Sequence, residues 1–133
     1  MRPAIYTVAS NVSVAADGTI PVGTIIRRMG CEMSIEGDAI ACRGMGYYGV
    51  TVSVTMSPDA AGVIGVRLYQ DGTQVPGAFA MDTGTLNSPL SLSFRTIVRT
   101  SQCGVSTLTV ALDSDGTTTG ALVENMTVTV ERM

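Results

Sequence analysis

The sequence predicts an all-β sandwich or barrel, and three observations carry that expectation. Apolar and polar residues alternate over run after run, the mark of strands with one buried face. The runs number about ten, and turn-forming residues break them at spacings of roughly eight to twelve positions. No segment shows the three-and-four apolar spacing of an amphipathic helix, so essentially no helix is expected. The chain has 133 residues, room for one domain over 1–133 with a proper core, and no shift in composition marks a second. No internal repeat divides it, which argues against a β-helix.

Ala4 to Ala9 reads as a first strand, rich in β-branched and aromatic residues. Asn11 to Ala16 alternates weakly, as a separate short edge strand would, before the turn at Asp17-Gly18. Ile20 to Arg28 follows, with Pro21 near its start, a position that strands tolerate at an edge. Met33-Ser34-Ile35 and Ala39 to Arg43 flank Glu36-Gly37-Asp38, a hairpin turn. From Gly46 the central strand alternates Val50, Val52, Val54 and Met56 with Thr51, Ser53 and Thr55. Ser57 to Gly62 breaks it, and Ile64, Val66 and Leu68 resume the pattern. Asp71-Gly72 supplies the positive φ of a tight hairpin turn and leads into Gln74 to Phe79. Met81 to Pro89 reads as the longest break. Leu90 to Arg99 and Val105 to Leu112 are further strands, the second burying Leu108, Val110 and Leu112. Asp113 to Gly120 reads as a polar loop. Ala121 to Glu131 closes the fold, with a slip of parity near Glu124-Asn125 that predicts a bulge.

Gly46-Tyr47-Tyr48-Gly49-Val50-Thr51-Val52, then Val66 to Gly72, then Val75-Pro76-Gly77 resemble the middle of a C1q/TNF-like jelly roll. The compact form of this family occurs in small structural proteins of bacteriophages and prophages and in collagen-like bacterial surface proteins. The resemblance implies an antiparallel jelly-roll sandwich and self-association as a homotrimer, with aromatic and aliphatic packing along a threefold axis. Tyr47, Tyr48 and Val128 are the residues it suggests for that packing. The two tyrosines are neighbours on a strand, so one ring enters the core while the other faces outward. In the resembled family Ile20 to Arg28 forms outer-edge strands; Arg27-Arg28 sits either on a solvated rim or against a partner.

Charged residues are 14% of the chain against a hydrophobic share of 45%, where about 25% charged is usual. So few charges leave an exterior that is partly covered by a partner or wetted by Thr, Ser and Gly. All eight basic residues are Arg, and Lys, His and Trp are absent. The lack of His removes the commonest general base, and the lack of Lys removes Schiff-base and Walker chemistry. No nucleophile has a base beside it, so no catalytic residue and no cofactor are assigned. A net charge of -3 argues against nucleic acid, and no run approaches the length of a membrane span. Nor does the start of the sequence resemble a secretory signal, so assembly in a bacterial cytoplasm is expected.

Cys31, Cys42 and Cys103 show no metal-binding spacing. A disulfide between Cys31 and Cys42 across the Gly37 hairpin stays open, and free thiols packed as small hydrophobes are the reading favoured in a reducing compartment. Asp113-x-Asp115-Gly116 superficially resembles a calcium loop, but it lacks the further oxygen ligands, so Asp113 and Asp115 are weak metal candidates and a turn is preferred. If consecutive strands run antiparallel, Glu36, Asp38, Asp59, Asp82, Asp113 and Asp115 collect at one end without any Arg. Arg2, Arg43, Arg99 and Arg132 collect at the other, with both termini. On that basis Asp59, Asp82, Asn87, Asp113 and Asp115 are candidate receptor-facing positions; the competing reading is that Asp is simply a favoured turn residue.

The function expected is a non-enzymatic structural or adhesion protein, a homotrimeric phage or prophage virion component such as a head fibre, decoration protein or tail-associated knob. Its partners would be copies of itself, capsid or tail proteins, and a host surface receptor, and its location the virion. The alternative is a receptor- or glycan-binding head of a bacterial surface or fibre protein, placed on a cell or spore surface. The absence of Trp weighs against sugars, and the absence of a Gly-X-Y stalk favours docking to a particle.

Overall fold

The structure, a computed structural model, describes residues 2–100, 105–114 and 120–133. Among the described residues eleven strands make up two antiparallel sheets: β1 Ala4–Ala15, β2 Thr19–Ile20, β3 Thr24–Met29, β4 Met33–Glu36, β5 Ala39–Cys42, β6 Gly46–Pro58, β7 Gly62–Gln70, β8 Thr73–Gly84, β9 Leu90–Thr100, β10 Ser106–Ser114 and β11 Gly120–Arg132. The first sheet runs β3-β1-β11-β6-β9 and the second β4-β5-β10-β7-β8, with β2 paired to β10. Neighbours in each sheet are mostly distant in sequence, as a jelly roll requires. The expected fold class is therefore the observed one.

Period-two patterning sets the inner faces. On β6, Tyr48, Val50, Val52, Val54 and Met56 are all buried, and they pack against Ile64, Val66 and Leu68 of β7 and Leu108, Val110 and Leu112 of β10. The parity slip near Glu124 is a bulge: Val123 pairs with Met56 and Asn125 with the adjacent Thr55, leaving Glu124 over. Inward positions accordingly change from Ala121 and Val123 to Met126, Val128 and Val130. Two facing layers of Val, Ile, Leu and Met thus hold the sandwich together, each fully buried side chain contributing about 1.5–3 kcal/mol.

Three boundaries differ from expectation, at Asn11, after Phe79 and at Asp113. The first strand continues through Asn11, which takes a left-handed φ of 55° and so absorbs the break in alternation. The stretch Ile20 to Arg28, where the resemblance implies outer-edge strands, is parted at Gly23 between β2 and β3. There φ is +86°, and a Cβ would stand 2.1 Å from the Val8 carbonyl oxygen. The break after Phe79 is shorter than predicted, because Met81 and Asp82 still pair with Gly65 and Ile64. Asp113 likewise belongs to β10, paired with Gly65, and not to a loop. Cys31 and Cys42 are free thiols. Across the four-residue strands it is Met33 that faces Cys42, so Cys31 lies beyond the ladder.

The register defines two ends. Ala4 pairs with Glu131 and Tyr48 with Arg132, so both termini and the start of β6 share one end. Ala15 pairs with Gly120 and Pro58 with Ala121, which puts the 58–62 and 85–89 connections at the other.

Candidate interaction faces

Outward on the first sheet, at the terminal end, three large apolar side chains stand together. Tyr47, Ile97 and Met133 are each more than half exposed, at 53%, 54% and 56%, and line a hollow of about 350 Å³. Tyr47 pairs with Arg99 and Gly49 with Ile97 across β6 and β9, while the Met133 N–H donates to the Tyr47 carbonyl at 3.0 Å. The Arg99 guanidinium covers the Tyr47 ring at 5.9 Å from its centroid, within cation–π range. One row further on, Arg95 lies flat on the sheet over Gly49: a Cβ there would come within 2.5 Å of its Nη2. Lying thus, Arg95 donates to Thr51 Oγ1 at 2.9 Å and to Glu131 Oε1 at 3.4 Å. The face is flat, apolar at its tip and locally neutralised beside it.

Tyr48 points the other way. It is fully buried, its hydroxyl donating to Glu32 Oε2 at 2.6 Å and lying 2.9 Å from the Gly44 carbonyl. Arg132 donates to both Glu32 oxygens at 2.9 Å and to the Met45 carbonyl. Desolvation pushes the Glu32 carboxyl up, but hydrogen bonds from Tyr48 and Arg132, with the Arg132 charge, outweigh it and hold the group below its ordinary value. Burial, then the hydrogen bond to Glu32, pushes the Tyr48 phenol up to about 12. Burial, helped by the charges of Glu32 and Asp71, pushes the Cys42 thiol up to about 12 as well. Gly44 lies close against this cluster: a Cβ there would fall 2.3 Å from Glu32 Oε1 and oblige the ends of Glu32 and Arg132 to shift. The cluster ties the C-terminal strand to the segments before β4 and β6.

Of the residues suggested for self-packing, then, only Tyr47 reaches the surface. Tyr48 and Val128 are buried inside the chain's own core and are removed from any exposed face. Ile97, Met133 and the Arg95-Gly49-Glu131 arrangement were not singled out by the sequence. Ile97 had a readable signal, for it is the one apolar residue on the outward parity of β9, among Ser91, Ser93, Arg95 and Arg99.

At the opposite end the acidic positions are engaged within the fold. Asp59 accepts from the Gly120 N–H at 3.2 Å, and Asp82 accepts from the Thr83 N–H at 2.8 Å. Asn87 holds φ at 56°, its own N–H donating to the Pro58 carbonyl at 2.9 Å. Asp113 takes two hydrogen bonds from Arg67, at 3.1 and 3.0 Å, and Arg67 also stacks on Phe79 at 4.6 Å. The acidic end therefore does contain an Arg. Asp115 and Cys103 lie outside the described residues. Glu36 leaves this end altogether, because the short β4–β5 hairpin lets it reach Arg43 at 2.6 Å. Asp59 and Asn87 do meet, in a hollow of about 370 Å³ shared with Ser13, Ser57 and Leu122. Among the described residues no group of three or more His, Cys, Asp or Glu side chains is placed to hold a metal ion.

No family model and no curated relative matches the sequence. Solved structures do match in fold. The globular domain of zebrafish complement 1qA protein aligns with 100% of this chain and 97% of its own, at 12% identity and a TM-score of 0.73. Murine APRIL aligns over 100% of both chains at 12% identity and 0.70. PRD1 vertex protein P5 aligns over 98% of this chain and 96% of its own, at 15% identity and 0.65. Sheet order, core and these likenesses agree: the chain has a C1q/TNF-like jelly-roll fold.

Proposed function

We propose that this chain is a non-enzymatic structural protein that assembles as a homotrimer and serves in a phage or prophage virion, as a head fibre, decoration protein or tail-associated knob. The observation that carries the reading is the Tyr47-Ile97-Met133 face, an apolar tip more than half exposed on a single copy. Exposed apolar surface of this kind, beside a neutralised ion pair, is what a partner covers. A closed ring of three needs two different surfaces on each copy. The second is a strip on β8, where Phe79 and Met81 are 44% and 37% exposed next to Asp82. Arg99 beside the first surface and Asp82 beside the second give the contact its opposite charges. A vertex protein with the same fold supports the virion setting.

The self-association is tested by Ile97→Asp. In light scattering the wild-type chain is expected at the mass of three chains and the variant at one, with unchanged far-ultraviolet circular dichroism. A stable wild-type monomer overturns the reading. Antibody labelling of intact particles tests the virion role.

A second reading, a receptor- or glycan-binding head, is favoured by the Asp59-Asn87 hollow. Its carboxylate, carboxamide and two hydroxyls beside Leu122 are groups that hydrogen-bond sugar hydroxyls. Glycan-array hits that Asn87→Ala abolishes would establish it, and an array without hits removes it.

A further inference from the structure

Strand β3 closes one side of the first sheet, hydrogen-bonded to β1 alone among the described residues. All six of its residues are exposed, so its outer flank presents unpaired backbone N–H and C=O groups. Proteins guard such edges with charges and bulges. Here Arg27 and Arg28 are present, and the register shifts between Tyr6 and Thr7, leaving Ile26 out of the ladder with its carbonyl accepting from Arg27 Nη1 at 3.0 Å. A guard, however, needs no apolar surface, and this edge displays Ile25, Ile26 and Met29, each more than a third exposed. Beside them lies a cleft of about 230 Å³ between Tyr6, Met29 and the stems of Arg27 and Arg28, with Ala4 and Ile5 in its lining. That volume admits one aliphatic side chain.

The charges complete the pattern. Of the eight arginines, Arg43, Arg67, Arg95 and Arg132 are ion-paired. The other four have no ion pair among the described residues: Arg99 lies over Tyr47, Arg27 and Arg28 are on β3, and Arg2 precedes Pro3, whose ring lies against Gly30. Two guanidinium groups without an ion pair and the exposed apolar side chains of Ile25, Ile26 and Met29 on one free strand edge have the composition of interface cores, rich in Arg and apolar residues.

We propose that the β3 edge is a docking site for an extended acidic segment of another protein, which adds as a sixth strand to the first sheet. Main-chain hydrogen bonds to β3 supply affinity. Carboxylates on alternate residues, which share one face of the segment, pair with Arg28 in charge-assisted hydrogen bonds, while the segment's other face meets Arg27 and Tyr6. One aliphatic side chain of the segment fills the cleft beside Tyr6. The site is independent of the Tyr47-Ile97-Met133 face, which lies across the same sheet beyond β1 and β11.

The test uses a short blocked peptide alternating glutamate with leucine and valine, followed by fluorescence anisotropy on the full chain. Two controls accompany it: the same peptide with lysine for glutamate, and one N-methylated along its hydrogen-bonding edge. The glutamate peptide is expected to bind saturably, more weakly as salt rises, and to protect the amides of residues 24–29 from exchange. The double change Arg27→Glu with Arg28→Glu is expected to weaken it by about tenfold or more while leaving solution mass and circular dichroism unchanged. Absence of saturable binding overturns the proposal, as does equal binding of either control. Binding indifferent to the double change overturns it too. If the double change instead alters the solution mass, the edge is a self-contact and the proposal fails, whereas loss of the three-chain mass in Ile97→Asp bears only on the trimer.

Discussion

Cys42 and Cys31 show how burial decides chemistry residue by residue. Cys42 is fully enclosed with its thiol pushed up to about 12, while Cys31 is exposed. Alkylation at neutral pH followed by peptide mass mapping is expected to label Cys31 rapidly and Cys42 only after unfolding, since the thiolate is the reactive form. Glu32 makes a second case. Its folded pKa lies below the ordinary value of 4.5, so its contribution is present above that value and is lost as pH falls through the lowered one. Glu32→Gln should therefore unfold more easily than wild type at neutral pH, and the two should converge in acid. The alkaline side runs oppositely. Tyr48 is raised from 10 to about 12, so the stability it contributes is intact below pH 10 and is lost as pH rises towards 12. Tyr48→Phe should remove that part of the alkaline loss; urea midpoints across pH measure both. Little of this was legible beforehand. Adjacent tyrosines on a strand do announce one inward and one outward ring, as observed for Tyr48 and Tyr47. The partner of Tyr48, however, is set by Glu32 and Arg132, which are 100 residues apart, and nothing local announces a contact of that span.

Among the elements, hairpins with local causes were readable. Glu36 to Ala39 closes in the predicted turn with Gly37 at φ 62°, and Asp71 and Gly72 both take positive φ. The β11 bulge was readable too, because parity changes in the sequence itself. Strand lengths were less so. Asn11 and Met81 resemble breaks, yet long-range pairing with β11 and β7 carries the strands through them, and tertiary hydrogen bonds override local preference. Gly23 is the converse, a break imposed by a neighbour's backbone. Gly23→Ala meets both its φ of +86° and the Val8 carbonyl, and should destabilise by about 2 kcal/mol or more. Denaturant unfolding reads that loss. A change within about 0.5 kcal/mol would mean that β2 and β3 are not parted as described.

At the scale of the molecule, composition gave the right warning. A chain with 14% charged residues leaves apolar groups outside, and among the described residues most of the large ones lie on the terminal end of the first sheet and along β3 and β8. The expected separation of acids from arginines survives only in part, because half the arginines sit beside carboxylates. Those pairings depend on registers that alternation alone does not supply. The fold class and the family likeness were legible because period-two burial and turn chemistry repeat along nearly the whole chain. The interaction faces were not, since a face gathers one residue from each of several strands. The proposed trimer stands or falls with the Tyr47-Ile97-Met133 face being covered by another copy. Light scattering of the purified chain tests it most directly: a mass of three chains is the predicted result, and a mass of one chain, stable across concentration, would contradict it.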